Sequence, residues 1–132
     1  MTTLVTFFYD IGREKWKNFS RKAEEYVESF NVFLNYDYDM VIFIDDRYYD
    51  QVKENIDKSK YSSNKKLIPI NEQWFKDNIW AWSKLDREKE IMKSADYKAI
   101  LRERIALNYP ENTNPYYTIL THSKIDVVNC AI

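Results

Sequence analysis

Residues 3–9, Thr-Leu-Val-Thr-Phe-Phe-Tyr, form a β-branched and aromatic run that is apolar on both faces of a pleat. Such a run predicts a central strand buried on both sides, as parallel α/β sheets contain. A turn over Asp10 to Arg13 follows. Phe19, Ala23, Tyr26, Val27, Phe30, Phe33 and Leu34 then recur at three- and four-residue spacing, with Arg21, Lys22, Glu24, Glu25 and Glu28 between them. This predicts an amphipathic helix over 18–34, with Asn18 or Ser20 as its N-cap.

Asn35 to Asp39 is a polar break, and Met40-Val-Ile-Phe-Ile44 is the purest strand signal in the chain, closed off by Asp45-Asp46. It is expected beside the first strand. Tyr48 to Ile56 fits a short helix, Lys58 to Lys65 a polar loop, and Lys66 to Ile70 a third strand. Pro69 has no N–H to give a ladder, so this third strand is expected at a sheet edge. Strand, helix, strand, helix, strand with short connections implies parallel pairing through right-handed crossovers.

Beyond residue 70 the spacing is helical. Residues 72–83 carry Trp74, Phe75, Ile79, Trp80 and Trp82, and 85–107 carry Leu85, Ile91, Ile100, Leu101 and Ile105. After an interruption from Pro110 to Pro115, Ile119, Leu120, Ile125, Val128 and Ile132 fit a last helix over 116–132. The expected fold is a single α/β domain over 1–132. Its residues 1–70 form a parallel, Rossmann-like βαβαβ half of nucleotide-binding type, and 71–132 a mainly helical half.

Composition narrows the function. The 132 residues are 45% hydrophobic and 17% aromatic, enough for one real core. Twenty Lys and Arg against 21 Asp and Glu give a net charge of -1, which argues against coating nucleic acid. No apolar run approaches the roughly 18 residues of a membrane span, and the amino terminus lacks the basic region and cleavage site of a signal peptide. The single cysteine, Cys130, cannot pair internally, so a reducing, cytoplasmic compartment is expected, with Cys130 itself a small buried hydrophobe.

Ligands of open parallel sheets sit beyond the carboxyl ends of the strands, where loop and helix N–H groups converge. Two motifs fall there. Tyr9-Asp10-Ile11-Gly12-Arg13 contains the only glycine of the chain, placed where a strand must turn, as a positive φ or a close backbone approach requires. Arg13 could fork onto a phosphate or carboxylate and Asp10 accept from a ribose hydroxyl or base edge; a plain turn with a solvated arginine fits the pattern equally. Asp45 and Asp46 follow the second strand and could bind ribose or, with a diphosphate, a divalent cation, although one of them could simply cap the next helix. His122 is the only histidine, and no GxGxxG, Walker loop, GxSxG or CxxC occurs. Trp74, Trp80 and Trp82 could stack on a sugar, but at helical spacing they fit a core better.

Leu-Val-Thr-Phe-Phe-Tyr-Asp-Ile-Gly-Arg at 4–13, Arg-Lys-Ala-Glu-Glu-Tyr at 21–26 and Met-Val-Ile-Phe-Ile-Asp-Asp at 40–46 resemble the HtrL/YibB family of glycosyltransferase-like proteins. Tyr117-Thr-Ile-Leu-Thr-His-Ser-Lys-Ile-Asp-Val-Val is similar to that family's later segment, so the likeness runs in order over nearly the whole chain. The resemblance implies a GT-A-like nucleotide-diphospho-sugar fold. It places Tyr9, Asp10, Gly12, Arg13, Asp45 and Asp46 in the nucleoside pocket and Lys124 near the diphosphate. A divalent cation, Mn or Mg, is implied as cofactor, with Asp45 and Asp46 as weak candidate ligands and no catalytic residue assigned. Family members continue into an aromatic-x-Asp-x-Gly motif that is not present before Ile132. The chain is therefore expected to be the amino-terminal part of a longer GT-A domain, a shortened homologue, or half of a split enzyme.

The leading expectation is a domain that binds a nucleotide-sugar donor for transfer to a glycan or other hydroxyl acceptor. The alternative is a non-enzymatic interaction module, an oligomer for example, using partly exposed Trp74, Trp80, Trp82, Tyr116 and Tyr117. A weaker third reading, phosphotransfer or hydrolysis around Asp10 and the Asp45-Asp46 pair, would need a lysine beyond a later strand.

Overall fold

Three parallel strands, β1 (Thr3–Phe8), β2 (Asp39–Asp45) and β3 (Lys65–Ile70), pair in the order β1-β2-β3. A computed structural model describes them, together with the rest of residues 2–17, 19–104 and 109–132. The crossovers are α1 (Ala23–Leu34) and α2 (Tyr49–Asp57). After β3 come α3 (Glu72–Asn78), α4 (Leu85–Lys93), α5 (Ala95–Glu103), α6 (Pro110–Thr113), α7 (Pro115–His122) and α8 (Lys124–Ala131).

The alternation of side chains along the strands explains the layers. Leu4, Phe8, Met40, Ile42, Ile44 and Leu67 meet Ala23, Val27, Phe30 and Leu34 of α1 and Val52 and Ile56 of α2 on one face. Val5, Phe7, Tyr9, Val41, Phe43, Ile68 and Ile70 pack on the other against Phe75, Trp82, Leu85, Ile119 and Val127. Each fully buried Phe or Ile here contributes about 1.5–3 kcal/mol of burial, so both cores depend on the two-faced apolar strands.

The parallel βαβαβ half and the helical remainder match the sequence pattern, and Pro69 does lie on an outer strand. The first strand does not lie centrally: among the described residues β1 is an outer strand and β2 the middle one. The apolar pattern reports which faces are covered by helices, whereas lateral position is set by backbone hydrogen bonds that every residue offers.

Helix boundaries differ from the spacing for local reasons. α1 begins at Ala23 rather than residue 18, because residues 13–15 form a 3-10 turn and Phe19 adopts a φ of 58°. Its N-cap is Lys22, not Ser20, and it makes no side-chain capping bond; Asn18 lies outside the described residues. The helix expected over 85–107 is broken at Ser94, whose extended backbone and hydroxyl, accepting from the Tyr97 N–H, start α5. Residues 105–108 of that stretch lie outside the described residues. The helix expected over 116–132 is divided at Ser123, whose buried hydroxyl donates to the Ile119 carbonyl at 2.6 Å.

Trp82 is buried and Trp74 half-buried, as a core reading requires, while Trp80 is 70% exposed. Cys130 is exposed rather than buried, and α8 also shows Ile125 and Val128 to solvent. No helix among the described residues is long and apolar enough to cross a membrane.

Candidate functional site

The β1–β2 register pairs Phe8 with Ile44, which brings the two strand-end loops alongside each other. Their junction is the Asp45 carboxylate, 0% exposed. One oxygen accepts from the Arg47 backbone N–H at 3.0 Å and from Arg47 Nε at 2.9 Å. The other accepts from the Asp10 backbone N–H at 3.0 Å and from an Arg47 terminal nitrogen. That same nitrogen donates to the Asp10 carbonyl at 2.8 Å. A buried carboxylate needs such partners, and the fork geometry of a guanidinium supplies them. Hydrogen bonding to Asp45 in turn holds the Arg47 pKa above its ordinary value.

Asp10 organises its own loop. Its Oδ1 accepts from the Gly12 N–H at 2.8 Å and its Oδ2 from the Tyr48 hydroxyl at 2.9 Å. Burial, and then the bond to Asp10, push the Tyr48 phenol up to about 12. Gly12 lies at φ 78° and ψ 29°, the left-handed region expected of the lone glycine. An added Cβ would meet nothing within 4 Å, so the requirement is for backbone conformation and not for space.

Arg13 points back over the following segment. Its Nε donates to the Phe19 carbonyl at 2.8 Å, one terminal nitrogen donates to the Tyr26 hydroxyl at 2.7 Å, and the guanidinium lies over the Trp16 ring at 5.4 Å. These contacts fix the arginine at the mouth of a cleft of about 220 Å³ between the β1 end, the start of α1 and the α7–α8 junction. Tyr9, Asp10, Arg13, Arg21, Tyr26 and Lys124 are among its lining residues, with Tyr117 and Thr121 opposite. Three cationic side chains and one carboxylate, itself hydrogen-bonded, line this cleft, and Arg21 also pairs with Glu25 at 4.0 Å. Such a grouping of cations can hold an anion.

Of the residues singled out in the sequence, Tyr9, Asp10, Arg13 and Lys124 meet in this cleft, and Gly12 shapes the loop that forms its rim. Asp45 and Asp46 are not among its lining residues. Asp45 is the clamp behind it, and it also accepts from the Arg47 N–H to start the 3-10 turn at 46–48, the capping role open to one of the pair. Asp46 is exposed, and among the described residues its carboxylate receives only a long bond, 3.5 Å, from Asn71 Nδ2. The two carboxylates do not converge on a cation, and no group of three His, Cys, Asp or Glu among the described residues could hold one.

Arg21 lines this cleft and Arg47 clamps the loop behind it, two positions that the pattern did not single out. Arg21 sits among the polar residues of an amphipathic segment and reads as solvated, yet its guanidinium lies over the Tyr26 ring at 5.4 Å on the cleft wall. Arg47 follows two acids, and its signal was available in that spacing: a carboxylate ending a buried strand calls for a cation within reach.

The profile of the HtrL_YibB family, described as a bacterial protein of unknown function, matches residues 1–132. No curated protein and no solved structure matches the chain.

Proposed function

The chain belongs to the HtrL_YibB family, and on that premise we propose that its strand-edge cleft binds a nucleotide-diphospho-sugar donor for transfer to a hydroxyl acceptor. The observation that carries this reading is the grouping of Arg13, Arg21 and Lys124 around one cleft at the carboxyl edge of a parallel sheet. A diphosphate suits that charge and that edge, where the first turn of α1 also presents backbone N–H groups. The proposed fold is accordingly Rossmann-like and GT-A-like.

The cleft, at about 220 Å³, is smaller than the roughly 300–1,000 Å³ usual for drug-sized ligands. It suits the diphosphate and one adjoining ring, with the remainder of the donor lying across the open surface. In the transfer, an acceptor hydroxyl oxygen bonds to the anomeric carbon and gives up its proton to water as the bond from that carbon to the diphosphate oxygen breaks. The three cations would stabilise the charge developing on the departing diphosphate. A manganese or magnesium ion is proposed to arrive with the diphosphate and not in a preformed cage, because the oxygens of Asp45 are taken by Arg47 and Asp10. The exposed, single thiol of Cys130 suits the proposed reducing, cytoplasmic setting.

Calorimetric titration with UDP- and GDP-sugars, each with and without Mn²⁺, tests the proposal. It predicts saturable binding for at least one donor, weakened by Arg13→Ala. No binding to any of them rejects it.

A second reading, a protein-interaction module, draws on the 70% exposure of Trp80 and on Ile125 and Val128, 75% and 44% exposed on α8. It predicts a stable oligomer in solution that does not bind nucleotides; a monomeric mass contradicts the oligomer.

A further inference from the structure

Across the Asp10-Ile11 segment from the cationic cleft lies a second one, also about 220 Å³, bounded by Tyr9, Arg47, Glu72, Trp82 and Tyr116. The two clefts share Tyr9, Asp10 and Ile11 as a common wall. Their chemistry differs. In the second, the lining cation Arg47 is already paired with buried Asp45, lining Glu72 is paired with Lys76 at 3.6 Å, and Asp10 adds negative charge. An anion is disfavoured there.

The walls are aromatic. Tyr9 meets Phe75 and Trp82 edge-on, with ring centroids 5.0 and 6.2 Å apart, and Tyr116 lies 6.1 Å from Trp82. Lys89 Nζ donates to the Tyr116 hydroxyl at 3.1 Å and sits 4.8 Å from its ring centroid, which fixes that wall in place. Trp82 is almost fully buried, stacked on Phe75 at 4.7 Å beneath the cleft, while Tyr9 and Tyr116 are part-exposed and offer its open aromatic surface.

The polar groups suit hydroxyls. The exposed carboxylate of Glu72 only accepts, the Arg47 guanidinium only donates, and the Tyr9 phenol does both. Burial raises the Tyr9 pKa, so the phenol keeps its proton, and it has no hydrogen-bond partner among the described residues. The part-exposed rings of Tyr9 and Tyr116, combined with separate donors and acceptors, match a sugar ring, whose C–H faces lie on aromatics while its hydroxyls bridge polar groups.

We infer that this second cleft binds an uncharged monosaccharide unit. Its role as the acceptor side rests on the donor reading above, whereas the binding itself rests on the cleft's own chemistry. An anion and a sugar would then lie on opposite sides of one strand-end segment.

The test is an NMR titration of the full chain with methyl glycosides of glucose, galactose and N-acetylglucosamine, and separately with pyrophosphate. At least one glycoside is expected to shift the Trp82 indole and Arg47 Nε–H signals saturably. Glu72→Gln, at an exposed position that leaves the core intact, is expected to weaken that binding about tenfold, as losing a charge-assisted hydrogen bond does. The inference is overturned if no glycoside shifts these signals, if Glu72→Gln binds equally well, or if pyrophosphate saturates the same signals. Failure of the donor reading is seen separately, as the absence of pyrophosphate shifts at Arg13 and Arg21.

Discussion

The Asp10 backbone N–H donates to the wholly buried Asp45 carboxylate at 3.0 Å, so the loop after β1 takes its position from the end of β2. Arg47 completes the joint by binding both Asp45 and the Asp10 carbonyl. Three groups in contact thus make a scaffold for the residues that line the clefts on either side.

This joint predicts an asymmetry between its partners. Arg47→Met leaves a buried carboxylate without its cation and should cost about 3 kcal/mol, the low end for stripping such a pair because water reaches the guanidinium side. Asp45→Asn keeps shape and some hydrogen bonding and should cost about 1–2 kcal/mol. Urea unfolding of the two variants checks the order; a larger loss for Asp45→Asn contradicts it.

Tyr48 predicts an alkaline limit. Its folded pKa of about 12 exceeds the ordinary phenol value of 10.0, so between these values the folded state holds a proton that the unfolded chain releases. The stabilisation is complete below pH 10 and is lost as pH rises toward 12. Thermal melts across this range should fall more steeply for the parent chain than for Tyr48→Phe. Parallel curves contradict the assignment.

At Gly12 the account predicts a conformational penalty alone. Gly12→Ala should destabilise by about 1–2 kcal/mol, with Gly12→Asn costing less, because asparagine tolerates left-handed backbone better and nothing nearby obstructs a Cβ. A much larger loss for alanine, read by chemical denaturation, would mean that a steric contact matters there.

These particulars show what sequence patterns carry. The strand-helix alternation was legible because two-faced apolar runs and three- and four-residue spacing reflect burial directly, and Gly12 was legible because glycine is so scarce in this chain. The outer place of β1 was not, since the edge is a property of backbone pairing. The breaks at Ser94 and Ser123 were masked because apolar spacing continues through both serines, one acting as a cap and the other bonding back to Ile119. Within the site, Asp10 and Arg13 followed from their place after a strand, and Lys124 from family resemblance alone. Arg21 was hidden by its helix-face surroundings: a solvated arginine and one lining a cleft have the same sequence pattern until α7 and α8 are brought opposite.

The most direct test of the central claim is calorimetric titration of UDP against the parent chain and against Arg13→Ala, Arg21→Ala, Lys124→Ala and the triple variant. The cationic cleft predicts saturable binding that weakens about tenfold with each single change, is abolished in the triple variant, and falls as ionic strength rises. Unaltered affinity in the triple variant, or no saturable binding by the parent chain, would contradict it.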